Sequence, residues 1–183
     1  MDFEYDVYIS YAHIDNMPLA PDQPGWITRF HETLSIMLSM RLGYEAKIWR
    51  DLKLLGNDTF ADEAIQQFPK TALYLAVLSP RYVQSEWCTR EVREFCKIAE
   101  QTGGILVDGK SRVVKVIKLP VADESPLPDV MKNTLGYPFY IFEEERALEL
   151  DPAYGGEFAQ KFNLQVARLA QDISAILVRL QKQ

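Results

Sequence analysis

The sequence predicts an α/β protein, a flavodoxin-like three-layer sandwich in which a five-stranded, mainly parallel sheet is flanked by helices. Runs rich in β-branched and aromatic residues alternate with helical patterns five times, the order that right-handed crossovers on a parallel sheet require. Residues 72–78 are almost unbroken in apolar character, as a strand buried on both faces must be. With 183 residues, 48% of them hydrophobic and 25% charged, the chain is long enough to bury one core without disulfides or metals, so a single domain over residues 1–183 is expected.

Taken in order, residues 3–11 form a first strand ending at Ser10-Tyr11. Pro18, Pro21 and Pro24 break regularity up to Gly25 and give a long polar loop. Trp26, Ile27, Phe30, Leu34, Met37, Leu38 and Arg41 fall at helical spacing, with Gly43 as the stop. Residues 45–49 read as a short second strand and 50–58 as a polar, leucine-bearing loop; Thr59 with Asp62 marks a helix start ahead of Phe60, Ala64, Ile65 and Phe68. After the third strand, Ser85-Glu86-Trp87-Cys88-Thr89-Arg90-Glu91 opens a helix that runs to about Gln101 and is closed by Gly103-Gly104. Asp108-Gly109 turns a small hairpin, and residues 113–119 are a fourth strand. Prolines between Pro120 and Gly136 oppose a long helix there. Residues 138–142 form a fifth strand, placed at the edge because Pro138 cannot donate to a ladder. Phe158, Phe162, Val166, Leu169, Ile173, Ile176, Leu177 and Leu180, three or four apart, predict a long closing helix. There is no internal repeat or low-complexity tract.

Several functions are disfavoured by composition. A net charge of −6 argues against direct nucleic-acid contact, which needs a basic surface to displace counterions. No apolar run approaches the roughly 20 residues that span a bilayer, and the start Met1-Asp2-Phe3-Glu4 lacks a basic, then apolar, leader, so a cytoplasmic protein without membrane contact is expected. Cys88 and Cys96 lie eight apart on one predicted helix, roughly 12 Å along its axis, too far to bridge, and read as reduced core residues. No glycine fingerprint follows the first strand and no GxxxxGK[ST] loop is present. A phosphoacceptor receiver would place an aspartate after the third strand, where Leu78-Ser79-Pro80 stands. His13 and His31 have no partner at metal-ligand spacing, so no metal site is expected.

Trp87 and Glu91 are four apart on one side of a helix that starts just beyond a buried strand, near the sheet edge where ligands bind in open α/β folds. Around them stand three boxes: Tyr5-Asp6-Val7-Tyr8-Ile9-Ser10-Tyr11 continuing to Asp15, Ile48-Trp49-Arg50-Asp51 leading to Gly56, and Leu78-Ser79-Pro80 followed by Ser85-Glu86-Trp87-Cys88 and Glu91. Together these resemble the Toll/interleukin-1 receptor (TIR) domain family, in particular its bacterial members, over roughly residues 5–100. The resemblance implies one of two activities. The first is cleavage of NAD+ at the nicotinamide–ribose bond, as hydrolysis or cyclisation, in immune-type, anti-phage signalling; the second is a non-enzymatic module that recruits other TIR domains by self-association. It implies Glu91 as catalytic carboxylate, Ser10, Tyr11, Phe60 and Trp87 near the substrate, and an assembly loop containing Asp51, Leu54, Leu55 and Gly56. NAD+ would be a substrate and no cofactor is implied. The chain would then be a single TIR domain, either by itself or as the N-terminal part of a longer receptor.

One carboxylate is chemically sufficient. O-glycosidases generally need two, one to protonate the leaving oxygen. Nicotinamide is already a cationic pyridinium and leaves neutral, so a fixed anion that stabilises the ribose cation completes the task. The residues also admit blander readings: Glu91 as a solvated glutamate favoured by the helix dipole, Trp87, Tyr11 and Phe60 as core, Ser10 as a turn former, and Glu143-Glu144-Glu145 as a solvated segment. Trp49 reads as core packing for its short strand.

Overall fold

The computed structural model describes residues 3–50, 59–134 and 136–182, with the backbone alone for residues 59–62. In chain order the elements are β1 (Tyr5–Tyr11), α1 (Trp26–Leu42), β2 (Ile48–Trp49), α2 (Thr59–Gln67), β3 (Thr71–Leu78), α3 (Pro80–Gln84) and α4 (Glu86–Gln101). A hairpin of β4 (Leu106–Val107) and β5 (Lys110–Ser111) follows, then β6 (Val113–Ile117), α5 (Asp129–Lys132), β7 (Tyr137–Pro138), a second hairpin of β8 (Tyr140–Glu143) and β9 (Arg146–Glu149), and α6 (Gly156–Gln181).

The central sheet has the order β2-β1-β3-β6-β7, and every pairing in it is parallel. This is a flavodoxin-like α/β fold. All eight residues of β3 are buried, as the apolar run requires of a strand with neighbours on both edges and layers on both faces. Strand alternation then sorts the layers. Val7, Ile9 and Tyr11 of β1 join Trp26, Phe30 and Leu34 of α1 and Phe162, Val166 and Leu169 of α6 in one core. Tyr8 and Ala12 join Phe68, Tyr74 and Ala76 with Cys88, Val92 and Phe95 of α4 in the other. Trp49 is half-buried against this second core, its ring 4.2 Å from that of Tyr8. Truncating Phe95, fully buried there, is worth about 3–5 kcal/mol.

Helix ends follow their chemistry. Ser85 Oγ accepts from the Cys88 amide at 3.2 Å and starts α4; Gly43, at φ 78°, closes α1. At the start of α1 the residue in the cap position is Gly25, which has no side chain to offer. Asn16 replaces it from across the loop, its Oδ1 accepting from the Thr28 amide at 2.9 Å.

The expected hairpin at Asp108-Gly109 is present as β4–β5, with φ of 47° and 76° at the two residues, the left-handed pair that a two-residue turn needs. Two expectations need correction. The second strand is two residues long; just before it Lys47 is tied to Asp6 by both main chain and side chain, its carbonyl accepting from the Asp6 amide at 2.9 Å and its amide donating to Asp6 Oδ2 at 2.8 Å. The fifth strand is not one run over 138–142. β7 pairs with β6 only at Tyr137 and Pro138, after which β8 leaves the sheet to pair with β9. Glu144 and Glu145, at φ 48° and 65°, turn that second hairpin, so the acidic run is exposed as expected but also builds a turn. The one-turn helices α3 and α5 are too short for periodicity to reveal. Among the described residues no helix is long and apolar enough to cross a membrane.

Candidate active site at the carboxyl edge of the sheet

β1 and β3 are neighbours whose following helices lie on opposite faces: α1 packs in one core and α4 in the other. In open α/β sheets this reversal leaves a crevice beyond the strand ends. Glu91 approaches that region from α4. It falls three residues after Cys88 and four before Phe95, on the same stripe that packs against the sheet. It is therefore 2% exposed, which overturns the reading of a solvated glutamate.

A buried carboxylate is tolerable only with donors, and β1 supplies two. The Tyr8 hydroxyl donates to Glu91 Oε1 at 2.6 Å and Ser10 Oγ to Oε2 at 2.7 Å. Tyr8 and Ser10 are two apart, hence on one face of the strand. Behind them the Tyr82 hydroxyl donates to Ser10 Oγ at 3.3 Å, and the Tyr74 and Tyr82 hydroxyls are 3.1 Å apart. Burial above all, then neighbouring Tyr82 and Glu91 for Tyr74 and Cys88 for Tyr82, pushes both phenols well above the ordinary tyrosine value, so both remain protonated.

The structure thus brings Glu91 and Ser10 into contact. Trp87 lies one turn earlier on α4, half-buried against the same core, with the Arg90 guanidinium 5.7 Å from its ring centroid. Tyr11, one residue beyond Ser10, faces the opposite layer: it is 7% exposed in the α1–α6 core, its hydroxyl 3.5 Å from Arg50 Nη1. The Phe60 side chain and the loop residues Asp51, Leu54, Leu55 and Gly56 lie outside the described residues. Cys88 is buried with its Sγ 3.7 Å from the Tyr11 carbonyl, and burial, reinforced by Glu91, pushes its thiol up to about 12.

Two features escaped the sequence reading. Tyr8 is one; its place two residues before Ser10 was the available signal. The other is a second polar cluster at the same edge, where Ser79 Oγ donates to Asp15 Oδ2 at 2.6 Å and Lys118 Nζ lies 3.7 Å from Asp15 Oδ1. Burial pushes the Asp15 carboxyl above its ordinary value, against the Ser79 hydrogen bond and the Lys118 charge. Each of the three follows the end of a different strand, β1, β3 and β6. Among the described residues no group of three His, Cys, Asp or Glu side chains is placed to hold a metal ion.

No family model matches the chain, and no curated protein does. Among solved structures, the TIR domains of the activated Roq1 resistosome directly recognizing the pathogen effector XopQ are similar to it, at 18% identity over 97% of this chain and 82% of that chain, with a TM-score of 0.43. The strand order and burial pattern define the fold without that likeness: a five-stranded parallel sheet between two helical layers, with the buried Glu91 carboxylate hydrogen-bonded at both oxygens by Tyr8 and Ser10 near its switch point.

Proposed function

We propose that this chain is a bacterial-type TIR domain that cleaves NAD+ at the nicotinamide–ribose bond, with Glu91 as the catalytic carboxylate. The observation that carries this reading is the Glu91 carboxylate itself, 2% exposed yet held at both oxygens by Tyr8 and Ser10 beside the switch point. A helix stripe on a sheet gains stability from an apolar residue at that position, and a buried ion is a poor way to stabilise a core. A fixed anion with little water around it is, however, what a developing cation requires, because its field is not damped by solvent reorientation.

In this reaction the bond between the ribose anomeric carbon and the pyridinium nitrogen breaks, both electrons go to nitrogen, and nicotinamide leaves neutral. The ribose cation is stabilised by Glu91. Addition of water with loss of a proton gives ADP-ribose, while attack by an adenine nitrogen gives a cyclic isomer. Trp87, one turn before Glu91, supplies an apolar wall on the same helix. Self-association through the loop around Asp51, Leu54, Leu55 and Gly56, and a cytoplasmic role in immune-type, anti-phage signalling, belong to the same reading and rest on the motif resemblance.

The test is nicotinamide release from NAD+ by concentrated or artificially clustered protein, wild type beside Glu91→Ala. Turnover abolished by the substitution supports the reading. A folded, assembled wild type that releases no nicotinamide sinks it, and the non-enzymatic recruiting module then takes its place. Gly56→Pro should abolish assembly measured by light scattering; unchanged assembly removes the loop from the account.

A further inference from the structure

We infer that Tyr8 and Ser10 are positioning residues for Glu91, Ser10 being committed to the carboxylate and not to the substrate, and that Tyr82 and Tyr74 extend this device as a directed chain of hydroxyls. This rests on Glu91 being the catalytic carboxylate.

The direction of the chain follows from counting protons. A hydroxyl has one proton to give. Ser10 gives its proton to Glu91 Oε2 at 2.7 Å, so toward Tyr82 it can only accept. Tyr82 gives its proton to Ser10, so toward Tyr74, 3.1 Å away, it can only accept in turn. The order is therefore Tyr74 to Tyr82 to Ser10 to Glu91, every dipole pointing at the same carboxylate oxygen, and each bond polarises the next. Tyr8 donates independently to the other oxygen at 2.6 Å.

This order leaves Ser10 without a proton for a ribose or phosphate oxygen, and its side chain is buried at 1% exposure. What it does instead is fix the torsion of the Glu91 carboxylate together with Tyr8. A glutamate has several rotatable bonds, and two donors of different length on one strand face hold both oxygens at once. The phenols are held by packing: the Tyr8 ring lies 5.5 Å from that of Tyr74 and 5.3 Å from that of Phe68, and Tyr74 lies 5.2 Å from Phe95. Rigid donors behind a reacting anion are the arrangement that preorganised catalysis requires.

The experiment compares Tyr8→Phe, Ser10→Ala and Tyr82→Phe with wild type by steady-state nicotinamide release and thermal melting. Each substitution keeps the backbone and the ring or Cβ and removes only oxygen. Hydrogen-bond partners behind metal ligands are worth about 10–100-fold, and donors behind a reacting carboxylate are expected on the same scale. Tyr8→Phe and Ser10→Ala should each lower kcat by about that factor while KM for NAD+ moves less than about threefold, and Tyr82→Phe, one hydroxyl further away, should lower kcat by a smaller factor in the same direction. A Ser10→Ala enzyme that keeps kcat and raises KM would make Ser10 a substrate ligand and overturn the inference. So would wild-type kcat in a folded Tyr8→Phe together with a folded Tyr82→Phe, while Glu91→Ala is dead; that result leaves the proposed activity standing. An inactive, assembled wild type overturns the activity and this inference with it.

Discussion

Arg112 offers the sharpest test of how the helix carrying Glu91 is held. Its side chain is 0% exposed, and it is the largest fully buried residue of the described chain. Nε donates to the Ala72 carbonyl at 2.8 Å and Nη2 to the Thr71 carbonyl at 3.1 Å, both at the start of β3. Nη1 reaches the carbonyls of Thr102 at 2.7 Å, Gly104 at 3.2 Å and Ala99 at 3.3 Å, at the end of α4. These include orphan acceptors that every helix leaves at its C-terminus, and a cation there also meets the negative end of the dipole. Burial lowers the guanidinium to about 10, so it stays charged at neutral pH. Replacing a buried ion with an apolar residue of similar volume is often neutral or stabilising, because desolvation is relieved. That compensation fails here, since the acceptors are main-chain carbonyls that no substitution removes. Ala99 keeps the amides of Thr102 and Gly104; the others lose a charged donor worth about 1.5–3 kcal/mol each. Allowing for the relieved desolvation, Arg112→Met should cost about 3–5 kcal/mol, the range for breaking a buried charged pair from one side. At about 2–4 °C per kcal/mol for a domain of this size, Tm should fall by roughly 6–20 °C. Arg112→Lys, with one compact charge and no fork, should fall between. Urea and thermal unfolding by circular dichroism read both. An Arg112→Met protein within about 1 kcal/mol of wild type would refute the reasoning.

Three further outcomes follow from the same structure. His31 Nδ1 accepts from Arg50 Nε at 3.1 Å, and burial first, then the Arg50 charge, holds its pKa below the ordinary 6.5. The unfolded chain therefore binds the proton more readily, the stabilising difference is complete above that value and is lost as pH falls through it toward the depressed one, and His31→Gln should flatten urea stability over that window. Cys88 and Cys96 have thiols pushed up by burial to about 12 and about 11, so both should resist a disulfide reagent at neutral pH in native protein and react fully in guanidinium; rapid native labelling of Cys88 would contradict its place under β1. A Cβ on Gly25 would stand 1.9 Å from the Asn16 carbonyl oxygen and 2.5 Å from Oδ1, displacing the group that caps α1, so Gly25→Ala should cost about 2 kcal/mol or more and show it as a lower Tm.

Long periodic stretches were legible because burial and period coincide in them. β3 and α6 stand where residues 72–78 and the Phe158–Leu180 spacing place them, since a strand buried on both faces and a helix on one leave different patterns. The edge of the sheet was not legible for the opposite reason. Two ladder pairs at β7 are too few to impose a period, and Glu144-Glu145 carries none of the Asn or Gly signals of a left-handed turn. At the site, type and alternation were both written in residues 8–11. Ser10 and Tyr11 are adjacent, so a strand must send them to opposite faces, and only Ser10 reaches Glu91. The same rule selects Tyr8, whose hydroxyl is needed only because a carboxylate faces it.

Glu91 itself lay on a stripe with Cys88, Phe95 and Ala99, a position that calls for an apolar side chain. Whether its charge is kept for stability or for chemistry is decided by removing the polar set together. Glu91→Met alone removes the acceptor of the Tyr8 and Ser10 hydrogen bonds and should destabilise by about 1–3 kcal/mol per bond lost. The triple variant Tyr8→Phe, Ser10→Ala, Glu91→Met removes these two donors and their acceptor at once and leaves no charge at position 91 to desolvate, while the buried Tyr82 hydroxyl loses its acceptor on Ser10 at a cost of about 1–3 kcal/mol. It should regain the stability that Glu91→Met loses, to within the cost of the Tyr82 hydroxyl, while releasing no nicotinamide, the outcome expected where a buried charge is kept for chemistry and not for the fold. A triple variant several kcal/mol less stable than wild type would make the carboxylate a structural tie between α4 and β1, and its burial would then carry no argument for catalysis.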